Sequence, residues 1–138
     1  ADAWQRFPLQ SASVCCLLNV FGPRNAAEMA RVLEPDGVLV VVTPNASHLE
    51  ELRQPLGLIG IDSRKRERVD AQLAGFVRVS SAELEYSVTL TSADAENVVR
   101  MGPSAHHIDP ARLEAGIRSL PDPATVTVSV TVSSYRTR

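Results

Sequence analysis

Two apolar runs, Ala12–Phe21 and Val38–Thr43, constrain this chain more than any other feature, because a single amphipathic segment with short joints lies between them. Gly22-Pro23 breaks the first run, and Pro23 suits the first turn of a helix. In the segment that follows, Ala26, Met29, Ala30 and Leu33 share one face. Arg24, Glu28 and Arg31 fall at i, i+4 and i+7 on the other. Glu34-Pro-Asp-Gly37 is a turn by composition, and Pro44-Asn45 ends the second run. A strand, a helix and a strand with links this short make two parallel strands joined by a crossover. Runs with so little alternation predict strands buried on both faces.

The later pattern differs. Ser47-x-x-Glu50 reads as a capping box opening a short helix that Pro55 ends, Leu56–Ile61 as a packed loop or a short helical turn, and Asp62–Leu73 as a helix with a charged face. After Gly75 the period becomes two: Leu84, Tyr86, Val88 and Leu90 alternate with polar residues, as in a half-exposed strand. Thr91 or Ser92 caps a helix that Gly102-Pro103 terminates. Asp109 caps the next, started by Pro110, with Leu113, Ile117 and Leu120 on one side. Val126, Val128, Val130 and Val132 alternate with Thr and Ser in a last strand, read as a possible exposed edge for pairing with another chain. The whole predicts an α/β fold: a parallel sheet finished by an antiparallel pair at its edge.

Composition narrows the function classes. The chain has 138 residues, 44% apolar and 22% charged, ordinary for a globular protein rather than a disordered one. The net charge of −2 provides no global basic field, so nucleic acid would be held only by a local patch. No run is long enough to span a bilayer, which argues against a membrane partner. Cys15 and Cys16 are adjacent, read as small hydrophobes in a buried strand, and no metal set has ligand spacing. His106-His107 lacks a third ligand, and Trp4 is assigned to packing. Reduced cysteines and no signal-peptide pattern favour the cytoplasm. An open α/β domain binds its ligand at the carboxyl ends of its strands beside a glycine-rich first turn, and no Gly-x-Gly-x-x-Gly occurs here. The chain therefore reads as the second half of such a domain.

Several segments carry a family resemblance. Asp2-Ala-Trp-Gln-Arg-Phe-Pro-Leu9, Val14–Asn19 and Ala30-Arg-Val-Leu-Glu-Pro-Asp-Gly-Val-Leu39 resemble, in order and spacing, the stretch after the third strand, the fourth strand and the turn into the fifth strand of class I S-adenosylmethionine-dependent methyltransferases. Asn19–Glu28, Thr43–Leu52 and Met101-Gly-Pro-Ser-Ala105 are similar to the bacterial 23S rRNA (guanine-N1)-methyltransferases, above all the actinobacterial, tylosin-resistance-like branch. Ser13 and Asp36 depart from the class pattern, both in turns.

The resemblance implies that residues 1–138 are the C-terminal part of one Rossmann-like methyltransferase domain. A zinc module and the glycine-rich cofactor loop would lie upstream, zinc being confined to that module. It implies an enzyme when full length, a partner in 23S rRNA, a homodimer, and a link to macrolide resistance. Asp2, Asn19, Val20 and Phe21 then fall where the class binds S-adenosylmethionine, with Phe21 also placed to stack on a flipped base. Arg24 and Asn25, at the helix start, and the basic run Arg64, Lys65, Arg66 are candidates for holding RNA. Arg24 has an alternative use as an i,i+4 partner of Glu28, and the basic run as a solvated helix face. No general base is identified. Two other functions remain open from the residues: a class I methyltransferase acting on a small molecule, and a non-enzymatic module for dimerisation or binding.

Overall fold

A computed structural model describes residues 2–58, 65–102 and 108–138, with the backbone only for 65–68. The elements run β1 (Val14–Val20), α1 (Ala26–Val32), β2 (Leu33–Pro44), α2 (Glu50–Leu56), α3 (Lys65–Gln72), β3 (Phe76–Leu90), α4 (Ser92–Met101), α5 (Pro110–Arg118) and β4 (Ala124–Thr137). The four strands form one mixed sheet in the order β1-β2-β4-β3. β1 and β2 are parallel across α1, as the crossover pattern requires, and β4 runs antiparallel to β2 from Leu39↔Tyr135 to Pro44↔Val130. The α/β class with a parallel start and an antiparallel finish is as the sequence predicts. Among the described residues no helix is long and apolar enough to cross a membrane.

The chain divides into two compact units, residues 1–44, 62–84 and 130–138 in the first and 45–61 and 85–129 in the second. In the first, Met29, Leu33, Leu39, Val41, Val69, Leu73, Phe76 and Tyr135 form the core. The Tyr135 hydroxyl donates to Asp70 Oδ1 at 2.9 Å, so the one polar tip in this cluster is satisfied. Arg31 fastens the segment before β1: its guanidinium donates to Glu28, to the carbonyls of Phe7 and Leu9, and to Ser11 Oγ. Glu28 in turn accepts from Phe7 N–H at 2.8 Å. Arg31 and this backbone hydrogen bond hold the Glu28 carboxyl down at about 2, Arg31 being the larger cause.

In the second unit Leu52, Leu56, Ala95, Val99, Leu113, Ile117 and Val126 form a separate core. Here α2 and α5 approach closely at Gly116, where an added Cβ would lie 2.1 Å from Leu56 Cδ2. Thr91 and Asp94 make a reciprocal capping box on α4, and Asp109 caps α5 with Pro110 in its first turn, both as expected.

Several expectations are corrected. β1 is not buried on both faces: it ends the sheet, pairs only with β2, and leaves Leu18 63% and Val20 50% exposed. Cys15 and Cys16 are exposed free thiols for the same reason. The Glu34–Gly37 turn is spliced into β2 as an irregularity, since Val14 faces Leu33 but Cys16 already faces Val38. β4 is no edge; it lies between β2 and β3, and the edge is β3, whose Leu84 and Tyr86 are about half exposed. The Ser47–Glu50 capping box does not form, because Ser47 Oγ donates to Glu85 and Leu49 takes the capping position without a side-chain hydrogen bond. Pro55 lies inside α2 rather than ending it, one residue before its last. Trp4 does not pack; it is 67% exposed. His106-His107 and Pro103–Ala105 lie outside the described residues.

Candidate functional site

The carboxyl end of a parallel strand is where an α/β sheet presents backbone and side chains to a ligand, and β1 ends at Val20. Phe21 N–H still donates to Val42 O at 3.1 Å, so pairing with β2 runs one residue past the strand. The chain then turns sharply. Phe21 sits at φ 53°, the left-handed region that bulky side chains avoid, and its ring is 51% exposed. Strain of this kind costs on the order of 1–3 kcal/mol and gathers at functional turns.

Asn19 holds the turn from inside. Its Nδ2 donates to Pro23 O at 2.8 Å, which fixes the amide orientation. An added Cβ on Gly22 would come within 2.9 Å of that same nitrogen and would have to displace the amide. The opposite atom, Asn19 Oδ1, is buried and accepts no hydrogen bond among the described residues. Arg24 is the second unusual group. Nη1 donates to Gln72 Oε1 at 2.8 Å, while Nε is buried without a partner. Burial pushes the guanidinium below its usual value, and the Tyr135 hydroxyl offsets only part of that. The expected Arg24–Glu28 pair does not form, because Glu28 is committed to Arg31 at 2.7 Å.

Five of the predicted residues, Asn19, Val20, Phe21, Arg24 and Asn25, lie in one stretch from the end of β1 to the cap of α1. Asn25 serves as the α1 cap, its side chain accepting from Glu28 N–H at 3.4 Å. Asp2 stands in a turn of its own: Oδ1 accepts from Trp4 N–H at 2.9 Å and Oδ2 from Gln5 Nε2 at 3.3 Å. Lys65 and Arg66 open α3, whose last residue, Gln72, is the partner of Arg24. Arg64 lies outside the described residues. Sequence reasoning missed Gln72, since a lone polar residue ending a helix gives no signal.

It also missed a polar cluster in the second unit. Asn45 Nδ2 donates to Ser129 Oγ at 3.2 Å, and Ser129 N–H donates to His48 Nδ1 at 3.2 Å. The Glu51 carboxylate accepts from Thr127 N–H at 2.9 Å and Thr127 Oγ1 at 2.6 Å. Burial alone would raise Glu51, but these hydrogen bonds outweigh it and lower the carboxyl. Burial, with Arg53 nearby, lowers His48. This cluster clasps the start of α2 to β4.

Comparison with known proteins places this geometry. The chain is 46% identical over 136 residues, 98% of its length, to a protein of Micromonospora griseorubida assigned as a 23S rRNA (guanine-N1)-methyltransferase. It is 42% identical over 137 residues to the 23S rRNA (guanine(748)-N1)-methyltransferase of Streptomyces fradiae. The chain is similar to bacterial 23S rRNA (guanine-N1)-methyltransferases. It spans about half the length of these relatives, 46% and 49%. No family model matches it. In fold it resembles class I methyltransferases. A Bacillus halodurans structure assigned to that activity matches 99% of the chain, covering 69% of its own, at TM-score 0.55 and 15% identity. The [4+2]-cyclase SpnF matches 99%, covering 55% of its own chain, at TM-score 0.52 and 16% identity. A cyclase on the same frame shows that the frame does not choose the reaction.

Proposed function

We propose that this chain is the C-terminal part of an S-adenosylmethionine-dependent methyltransferase that methylates guanine N1 in a 23S rRNA hairpin loop. The observation that carries this reading is identity above 40% along nearly the whole chain to two relatives named for that reaction. The β1 end agrees with it. Exposed apolar Val20 and Phe21 suit the methionine end of a sulfonium cofactor, which needs apolar walls. Asp2, Val20, Phe21 and the backbone of Asn19 are the parts of this chain proposed to hold it. The exposed β1 edge gives the upstream half a strand to pair with.

When bound, the cofactor supplies a sulfonium methyl that passes to N1, the C–S electrons staying on sulfur and the N1 proton leaving to a base. The protein contributes position and exclusion of water. Asn25, with Arg64, Lys65 and Arg66, is proposed to hold RNA phosphates around the extruded base, which gives affinity rather than base choice, and Arg24 to hold the RNA at the base itself. A homodimer, a cytoplasmic location, an upstream zinc module and macrolide resistance belong to the same proposal.

The test uses the full-length protein, the methyl donor and 23S rRNA lacking the modification. N1-methylguanine blocks the Watson–Crick edge, so a reverse-transcriptase stop at one hairpin guanine is expected. A folded full-length protein that transfers methyl to a small acceptor and never to rRNA would overturn the proposal.

A further inference from the structure

Asn19 Oδ1 and Arg24 Nε are the buried side-chain polar atoms that go without a hydrogen-bond partner among the described residues, and they flank the turn between β1 and α1. A buried orphan costs on the order of 1–3 kcal/mol, and two flanking one turn call for an explanation. They are opposite in kind, one acceptor and one donor. Neither can be satisfied by reorienting its own side chain. Nδ2 is locked on Pro23 O at 2.8 Å, so turning the amide would set two oxygens against each other. Arg24 is anchored through Gln72 at 2.8 Å. A simple anion fits poorly, because a phosphate or carboxylate that paired with Arg24 would lie in the turn that also holds an unpaired oxygen.

Resting on the methyltransferase reading, we infer that Asn19 and Arg24 recognise the target guanine itself, Asn19 Oδ1 accepting from the N2 amine and Arg24 Nε donating to O6. N1 lies between these two groups on the base. One acceptor and one donor therefore bracket the reacting nitrogen and leave it uncovered. The hydrogen bond to O6 also favours loss of the N1 proton, since the negative charge left behind is shared with O6. Adenine presents an amine where guanine has O6 and lacks the N2 amine, so it leaves both atoms unpaired, and a site with buried polar groups rejects such a base strongly. Both atoms are shielded from solvent, so the base reaches them as the turn opens. Asn19 and Arg24 thereby set specificity, with Gln72 as the positioning residue for Arg24.

The test compares guanosine with inosine, which lacks only the N2 amine, at the target position of the hairpin RNA. Binding to the full-length protein is measured by fluorescence anisotropy without methyl donor, and methylation is measured separately. Wild type is expected to bind the guanosine RNA about ten-fold more tightly than the inosine RNA. Asn19→Ala should bring that ratio to about one. Arg24→Gln should weaken both RNAs alike and move the pH profile of methylation upward, because O6 is present in both. Equal binding of the two RNAs by wild type would overturn the inference with no variant needed. So would an Asn19→Ala protein that keeps the wild-type ratio, or one that raises only the KM for the methyl donor. Failure of the underlying reading looks different: wild type then methylates neither RNA.

Discussion

The two compact units treat their polar side chains in opposite ways. At the end of β1 and in the turn that follows, Asn19 and Arg24 each keep one buried atom without a partner among the described residues. In the second unit the buried Ser129 is held between Asn45 and His48, and Glu51 spends both carboxylate oxygens on Thr127. Residues of similar chemistry thus make a closed clasp in one place and an open turn in the other. A closed network holds backbone together and has little left to offer a ligand. An open one gives up stability and keeps its valences for a partner.

The strongest way to break the contrast is to collapse one unit at a time. Leu39 and Leu52 are 0% and 1% exposed, one in each core. Leu39→Ala and Leu52→Ala should each cost about 2–5 kcal/mol in urea denaturation. Amide exchange should show the first loss centred on β2 and the second on α2 and α5. If both variants loosen the same amides equally, the two units are one cooperative body. Gly116→Val sharpens the point within the second unit. Its Cβ would meet Leu56 Cδ2 at 2.1 Å, so overpacking by about 1–3 kcal/mol is expected, read as a lowered denaturation midpoint.

Glu51→Ala probes the clasp directly. Loss of both Thr127 hydrogen bonds at a solvent-facing carboxylate should cost about 1 kcal/mol. Asn19→Ala should cost less in stability than in base discrimination. The reverse order would make Asn19 a structural residue.

Two smaller effects are read through pH. His48 is lowered in the folded chain, so the unfolded chain takes up its proton first. Its contribution is whole above the ordinary histidine value of about 6.5 and falls as pH drops below it. His48→Gln should flatten stability in that window, and an imidazole titration by NMR should show a depressed midpoint. Glu28 is lowered from 4.5 to about 2. Its contribution is present above the ordinary value and is lost progressively as pH falls from there through about 2. Protection of the Phe7 amide, taken relative to its intrinsic exchange rate at each pH, should fall across that range and should be low at every pH in Glu28→Ala.

Much of the fold was legible because its signals are local. The strand end at Gly22-Pro23, the helical spacing of Ala26, Met29 and Ala30, and the caps at Thr91 and Asp109 act within a few residues, and the structure keeps them, although Pro23 stands outside α1, which starts at Ala26 with Asn25 as its cap. Burial was read less well. The apolar run of β1 matches a strand covered on both faces, yet here it ends a sheet, and Cys15, Leu18 and Val20 face outward. Ser47 had a competing partner in Glu85, distant in sequence, and the capping box lost to it. The site was legible as a place, since Asn19–Asn25 had to follow a parallel strand. Its chemistry was not, because no pattern shows which side of an amide goes unpaired.

The sequence by itself determined the parallel strand–helix–strand unit, the helix caps and the stretch where a ligand belongs, since these follow from periodicity and short-range hydrogen bonding. Only the tertiary structure decided that β4 is interior and β3 the edge, because strand order depends on pairings between residues far apart in the chain. It alone placed Pro23 O against Asn19 Nδ2 and Gln72 against Arg24, leaving one acceptor and one donor unpaired among the described residues, flanking the same turn. Which polar atoms a fold leaves over is a property of the whole packing, and no single segment records it.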